Sequence, residues 1–234
     1  MSVRTLPILT GLLPIIAIHV SLVVAIDAAA IPACFPYVEG CVSISATGRY
    51  EPASFIFKPA MMSEWCLLVL YWLANLGWLR CLSRETGKDG RVGGSMVAFG
   101  VTGALALILY TTFLGTQAPF YEFMRRVGIY FYFGCTVIAQ IILARRSIQF
   151  SQVLGLKGVK RAARIQFGLT IVPFVLGIAN LVLKSTLADP DPVENVIEWI
   201  FALLMHVYFL LTYISWKETN FDGRWALKAS SRTT

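Results

Sequence analysis

The sequence predicts an all-α membrane protein: six transmembrane helices with a small folded first outer loop. Three observations predict it. Of 234 residues, 57% are hydrophobic and only 14% are charged, where a soluble domain averages about 45–50% and about 25%. Mean hydropathy is +0.69. The apolar residues also fall in blocks close to the ~20 residues that a helix needs to cross a bilayer. This composition excludes a water-soluble enzyme, a nucleic-acid-binding module and a disordered tail.

Residues 1–234 read as a single membrane domain. Its helices are expected at about 6–26, 63–79, 92–114, 127–144, 167–183 and 196–215. The first block carries Pro7, Pro14 and His19 and is long for a signal-peptide core, so it reads as a retained helix. Gly93, Gly94, Gly100 and Gly103 give the third helix a small face suited to close packing. Pro173, with Gly177 four residues on, is expected to kink the fifth. Trp65, Trp72, Trp78, Trp199, Trp216 and Trp225 fall toward helix ends, as in an interfacial aromatic belt.

Charge placement sets the expected orientation. With the N-terminus inside, 15 of the 20 basic residues lie inside, and nine of the 13 acids lie outside. The inner set includes Arg80, Arg84, Lys88, Arg91, Lys217, Arg224, Lys228 and Arg232; the outer set is Arg49, Lys58, Arg125, Arg126 and Lys184. Both termini are therefore expected in the cytoplasm, and the net charge of +7 is a topology signal. The inner loop 145–166 carries Arg145, Arg146, Lys157, Lys160, Arg161 and Arg164. These six are the candidate contacts to anionic lipid, beside the plainer reading of a positive-inside loop. The inner tail is 216–234.

The outer loop 27–62 is long enough to expect structure of its own. Val42, Ile44 and Ala46 alternate with Ser43, Ser45 and Thr47, the period of a half-buried strand. Gly48 is expected to supply a permissive backbone angle, and Pro52 to stiffen the exit. Cys34 and Cys41 lie on the oxidising side, where a disulfide is expected. Cys66, Cys81 and Cys135 read as buried apolar residues. No metal site is expected, and no cofactor.

The stretch Ser43-Ile-Ser-Ala-Thr-Gly-Arg-Tyr-Glu-Pro52, followed by Phe55 and Phe57, resembles the first-outer-loop signature of the Frag/DRAM/Sfk family. Ser45, Thr47, Gly48 and Pro52 match it. Ala46 stands where many members carry Asp, though some carry Ala. Arg125-Arg-Val-Gly128 is similar to the family's His-x-x-Gly at the fourth helix, with Arg125 replacing the His. Glu198-Trp199 looks like its Glu-aromatic pair. The family includes the post-GPI-attachment factor in fatty-acid remodelling of GPI anchors, autophagy modulators and regulators of a phosphoinositide kinase. The resemblance implies lipid-linked membrane biology, without one agreed reaction.

Ionisable groups inside a bilayer are costly, and each is a functional candidate. His19, Glu64 and Glu198 are the candidate catalytic set, grouped in an outward-facing cleft beneath the loop. A His with a carboxylate could serve as general base toward a lipid ester. The competing reading puts Glu64 and Glu198 at helix starts, where the macrodipole favours negative charge. His206, Asn75, Gln140 and Asn180 complete the buried polar set. A haem between His19 and His206 is the weakest of these readings.

Three functions follow. The first is lipid handling: binding a phospholipid or lipid anchor, or helping remodel its acyl chains. The second is a non-enzymatic adaptor, with a membrane or peripheral protein partner on the basic inner loop and tail. The third is a transporter.

Overall fold

The computed structural model describes residues 2–87, 92–186 and 189–223, apart from the side chains at 180, 181 and 184. Lys88, Arg91, Arg224, Trp225, Lys228 and Arg232, and the side chains of Asn180 and Lys184, therefore lie outside the described residues.

Six helices are long and apolar enough to cross a membrane. They are α1 (Leu6–Asp27), α4 (Ser54–Glu85), α5 (Gly94–Thr112), α6 (Pro119–Leu154), α7 (Lys157–Thr186) and α8 (Asp191–Glu218). Two one-turn helices, α2 (Pro36–Glu39) and α3 (Ile44–Thr47), lie between α1 and α4. Each long helix packs on the next in the chain, and α8 returns to pack on α1. The result is a closed ring of six. The short connection between α6 and α7 enforces an antiparallel pair.

Small residues set the closest approaches. A Cβ on Gly128 of α6 would lie 2.6 Å from the Tyr110 backbone nitrogen of α5. A Cβ on Gly100 would run into the Trp72 ring, and one on Gly103 would lie 2.8 Å from Thr136 Oγ1. These are the contacts that the small face of the third span promises. Gly94 meets nothing within 4 Å, and Gly93 is the left-handed residue before α5, at φ +86°. Within the helix, of these glycines only Gly100 and Gly103 pack closely, while Gly93 ahead of it approaches the Leu76 side chain, 2.9 Å from where a Cβ would stand.

The tryptophans depart from the expected belt. Trp72, Trp78, Trp199 and Trp216 are fully buried. Tyr71, Trp72, Phe209 and Trp216 form one aromatic cluster between α4 and α8, with ring centroids as close as 4.9 Å. Buried polar groups lace the bundle. Tyr71 and Thr212 share a hydroxyl bond of 2.7 Å. Gln140 donates to the Met205 carbonyl at 2.9 Å, and Asn75 to that of Tyr71 at 2.9 Å. The Asn75 bond lies within α4, while the other two join α8 to α4 and to α6, supplying interhelical cohesion where no hydrophobic force acts between helices.

Four helices are much longer than the bilayer core. α4, α6, α7 and α8 have 32, 36, 30 and 28 residues, or ~48, ~54, ~45 and ~42 Å at 1.5 Å per residue, against a hydrocarbon core of ~30 Å. The stretch 145–166 is therefore not a loop. It is helical except at Gly155 and Leu156, where Gly155 takes φ +69° to end α6.

Candidate functional site

The segment between α1 and α4 folds as a cap on one end of the ring. It is held first by itself. Cys34 and Cys41 form a disulfide around α2, with Cα atoms 6.5 Å apart. Residues 44–47 form a helical turn, not the strand that their alternation suggests. Ser43 is its N-cap: its hydroxyl accepts the Ala46 N–H at 3.2 Å. Ile44 and Thr47 are buried, as two positions three apart on one helix face can be and as alternation, which sets them on opposite faces, would not allow.

The family-motif residues have distinct duties. Thr47, fully buried, donates to the Ile44 carbonyl at 2.7 Å. Gly48 has φ −104°, so it supplies no special backbone angle. It supplies space, because a Cβ there would run into the Phe57 ring. Ser45 shares a hydrogen bond with Ser43 at 3.2 Å and reaches the Tyr110 hydroxyl of α5. Pro52 follows a cis peptide bond.

One face of α8 reads the cap backbone in sequence. Gly40 sits at φ +62° directly against the Pro192 carbonyl, where any Cβ would clash. Asn195 donates to the Gly40 carbonyl at 2.7 Å, and Trp199 Nε1 to that of Val42 at 2.9 Å. The Glu198 carboxylate accepts backbone N–H groups of Ile44 and Ser45. Positions 192, 195, 198 and 199 share one helix face. Glu198 is thus the eighth residue of α8, too far in for the macrodipole account. Its carboxyl group instead meets the backbone N–H groups that open α3.

Glu64 is displaced in the same way. α4 begins at Ser54, so Glu64 is its eleventh residue and is fully buried. Neither carboxylate oxygen has a hydrogen-bond partner among the described residues. Tyr132 lies within electrostatic reach. Both helix-start readings are therefore corrected: residues 54–62, with Pro59 inside them, are helix and not loop.

The two histidines follow one pattern. His19 Nδ1 meets the Ile15 carbonyl at 2.7 Å, and His206 Nδ1 that of Ala202 at 2.6 Å. A carbonyl only accepts, so each Nδ1 carries the proton and each Nε2 accepts. Tyr37 donates to His19 Nε2 at 3.1 Å, and Tyr132 to His206 Nε2 at 3.3 Å. His19, Tyr37 and Trp199 also form an aromatic triangle with centroids 5.2–5.9 Å apart. Burial raises the Tyr37 hydroxyl above the ordinary tyrosine value. His19 has no carboxylate partner among the described residues, so the set His19, Glu64 and Glu198 is not assembled as an acid–base unit. The crevice that His19 and His206 both line measures about 10 Å³, room for one water at most.

What converges on the cap face is a different group. Arg49 of the cap, Arg125 of α6 and Glu198 of α8 all lie within electrostatic reach of Tyr110 of α5, and Arg125 within reach of Arg49 and Glu198, with Ser45 on Tyr110. Arg125 Nε is buried and without a partner. The sequence reading passed over Tyr110 and Asn195, and took Tyr37 only as one of the loop residues that need something to pack against. Only their aromatic or amide character at a predicted helix end, or within the loop, marked them.

At the opposite end, a groove of about 520 Å³ lies between α1 and α4, lined by Leu6, Leu70, Leu73, Ala74 and Phe221. The basic residues lie at this end too. Arg145, Arg146, Lys157, Arg161 and Arg164 are exposed and Lys160 is half-buried. Arg145 stacks over the Phe167 ring at 5.6 Å, and Arg146 donates to Gln149 at 3.3 Å.

No curated protein and no solved structure matches this chain. The family model described as the Frag1/DRAM/Sfk1/Cwh43P N-terminal domain matches residues 2–219. The motif turn, the cap on α8 and the six spans all lie within that match, and the chain is a member of the Frag1/DRAM/Sfk1/Cwh43P family of membrane proteins.

Proposed function

We propose that this protein handles membrane lipid at its cap face, holding the head region of a phospholipid or lipid anchor between the cap and the ends of α5, α6 and α8. One observation carries this reading. Arg125 presents a buried, partnerless Nε within electrostatic reach of Tyr110, whose hydroxyl Ser45 meets. The exposed rings of Phe120 and Phe123 lie in the first two turns of the same helix. Polar donors bordered by lipid-facing aromatics suit a molecule with a polar head and an apolar tail. The charge asymmetry of the sequence favours this face lying outside the cytoplasm.

The arrangement favours holding a lipid over cleaving one. Among the described residues, no serine or cysteine is hydrogen-bonded to either histidine, and both Nε2 atoms accept from tyrosines. Assistance to acyl remodelling would then consist of presenting the lipid. The test uses the full chain in nanodiscs with a phosphatidylcholine bearing a photoreactive group near its head. Adducts are expected in 43–49 and 110–125, and Arg125→Ala lowers them. Adducts spread evenly over the lipid-facing helix surfaces, unchanged in Arg125→Ala, would refute the reading.

A second reading rests on the α6–α7 hairpin, whose exposed cations project beyond the bilayer. It would recruit a peripheral protein partner or anionic lipid at the tail face. Neutralising Arg145, Arg146, Lys157, Arg161 and Arg164 to Gln should lower phosphatidylserine retention on purification. Unchanged retention would sink it.

A further inference from the structure

The charges around the α5–α6 turn say which chemistry the cap face takes. Arg49, Lys58, Arg125 and Arg126 are four of the five cations on a face otherwise rich in acids. At Gly115 in that turn, a Cβ would lie 3.1 Å from the Arg49 carbonyl and 3.7 Å from Lys58 Nζ. Arg49 and Arg125 feel each other's charge, as do Arg125 and Arg126. Among the described residues, none of the four hydrogen-bonds or ion-pairs with a carboxylate. Glu122 and Glu198 act on Arg125 only at longer range, and Glu198 is engaged by the N–H groups of Ile44 and Ser45.

Gathering like charges and burying a guanidinium nitrogen without an acceptor both cost free energy. An anion bound among them removes both costs. Phosphate fits best, because the guanidinium fork matches two of its oxygens and hydroxyls can take the others. Ser45 and Tyr110 are the hydroxyls at hand. The cluster also sits at the ends of membrane-spanning α5 and α6, the level of lipid head groups, with Phe55, Phe120 and Phe123 exposed around it.

We infer that Arg49, Lys58, Arg125 and Arg126, with Ser45 and Tyr110, form an anion site for the phosphate of a membrane-lipid head group, selective for anionic over zwitterionic lipids. This rests on the lipid-handling reading and names its ligand class. The fourth-helix motif position occupied by Arg125 becomes part of the binding site.

The test compares photoreactive phosphatidylglycerol with photoreactive phosphatidylcholine in nanodiscs, scoring adducts only in 43–58 and 110–126. The wild-type protein should favour phosphatidylglycerol. Arg49→Gln and Arg125→Gln should each lower that preference about fivefold, the factor that ~1 kcal/mol per well-placed cation represents. The paired substitution Arg49→Lys with Arg125→Lys should retain most of it, which separates lost charge from lost fold. Equal adducts of both lipids at these segments would overturn the anion site and leave lipid handling standing. No adducts there with either lipid would overturn both. Added inorganic phosphate that abolishes the preference, and that binds wild type but not Arg125→Gln in neutral discs by phosphorus NMR, would overturn the lipid as source.

Discussion

Gly128→Ala tests how closely α5 and α6 approach. The added methyl would lie 2.6 Å from the Tyr110 nitrogen and 2.9 Å from the Ala106 carbonyl oxygen. Both facing atoms are backbone, so no rotamer change relieves the clash, and one helix must move away from the other. Overpacking costs about 1–3 kcal/mol, and an immovable neighbour puts this site near 3. Replacing a helical glycine returns about 1 kcal/mol, leaving a net loss of about 2. Gly134 on the same helix meets nothing within 4 Å, so Gly134→Ala should gain about 1. The two variants then differ by about 3 kcal/mol. At roughly 2–4 °C per kcal/mol for a chain of this size, their melting temperatures should differ by about 6–12 °C. Thermal unfolding in nanodiscs, followed by tryptophan fluorescence, reads this directly. Equal melting of the two variants would refute the close approach of α5 and α6.

Three further outcomes follow from the cap and the core. Maleimide should label three thiols in the denatured, unreduced chain, namely Cys66, Cys81 and Cys135, and all five after reduction; five without reductant would mean that no disulfide forms. Burial raises the Tyr37 hydroxyl from its usual 10.0, so the folded chain holds this proton more tightly than the unfolded one. Its contribution is complete below pH ~10 and is lost as the pH climbs through the raised value, so Tyr37→Phe should flatten the stability loss above pH ~10, and an unchanged profile would count against it. Glu64→Met replaces a carboxylate with no partner by an apolar side chain of similar size; it should stabilise the protein by about 1–3 kcal/mol, whereas destabilisation would mean that Glu64 has a partner.

The six spans were legible because bilayer thickness imposes a length and a composition that survive any packing detail. The cap was legible as folded but not in its form. Ser43 ahead of Ile44 is an N-cap signal, but the apolar alternation of Val42, Ile44 and Ala46 outweighed it, and the burial of Thr47 in place of Ala46 is not marked by residue type. The helix starts were misjudged because Phe55–Met62 carries Lys58 and Pro59 and looks like loop. That one error placed Glu64 at a helix start, three turns from where it belongs. Buried tryptophans resemble belt tryptophans in any one-dimensional reading, since residue type does not say which helix packs against the ring. The meeting of Arg49 with Arg125 was not legible at all, because it depends on the α5–α6 turn folding back beneath the cap.

Ring closure has a consequence for the order of assembly. The cap is made between the first and second spans, but the surface that reads its backbone belongs to the last one. During synthesis α1 and the cap must wait for four further spans before Asn195, Glu198 and Trp199 exist. The disulfide around α2 needs none of them. A ribosome stalled after α7 would therefore leave a cross-linked but undocked cap, with the Val42 and Gly40 carbonyls open to solvent or to a chaperone. Arrival of α8 is the event that both seals the bundle and seats the cap, so the two become a single quality checkpoint.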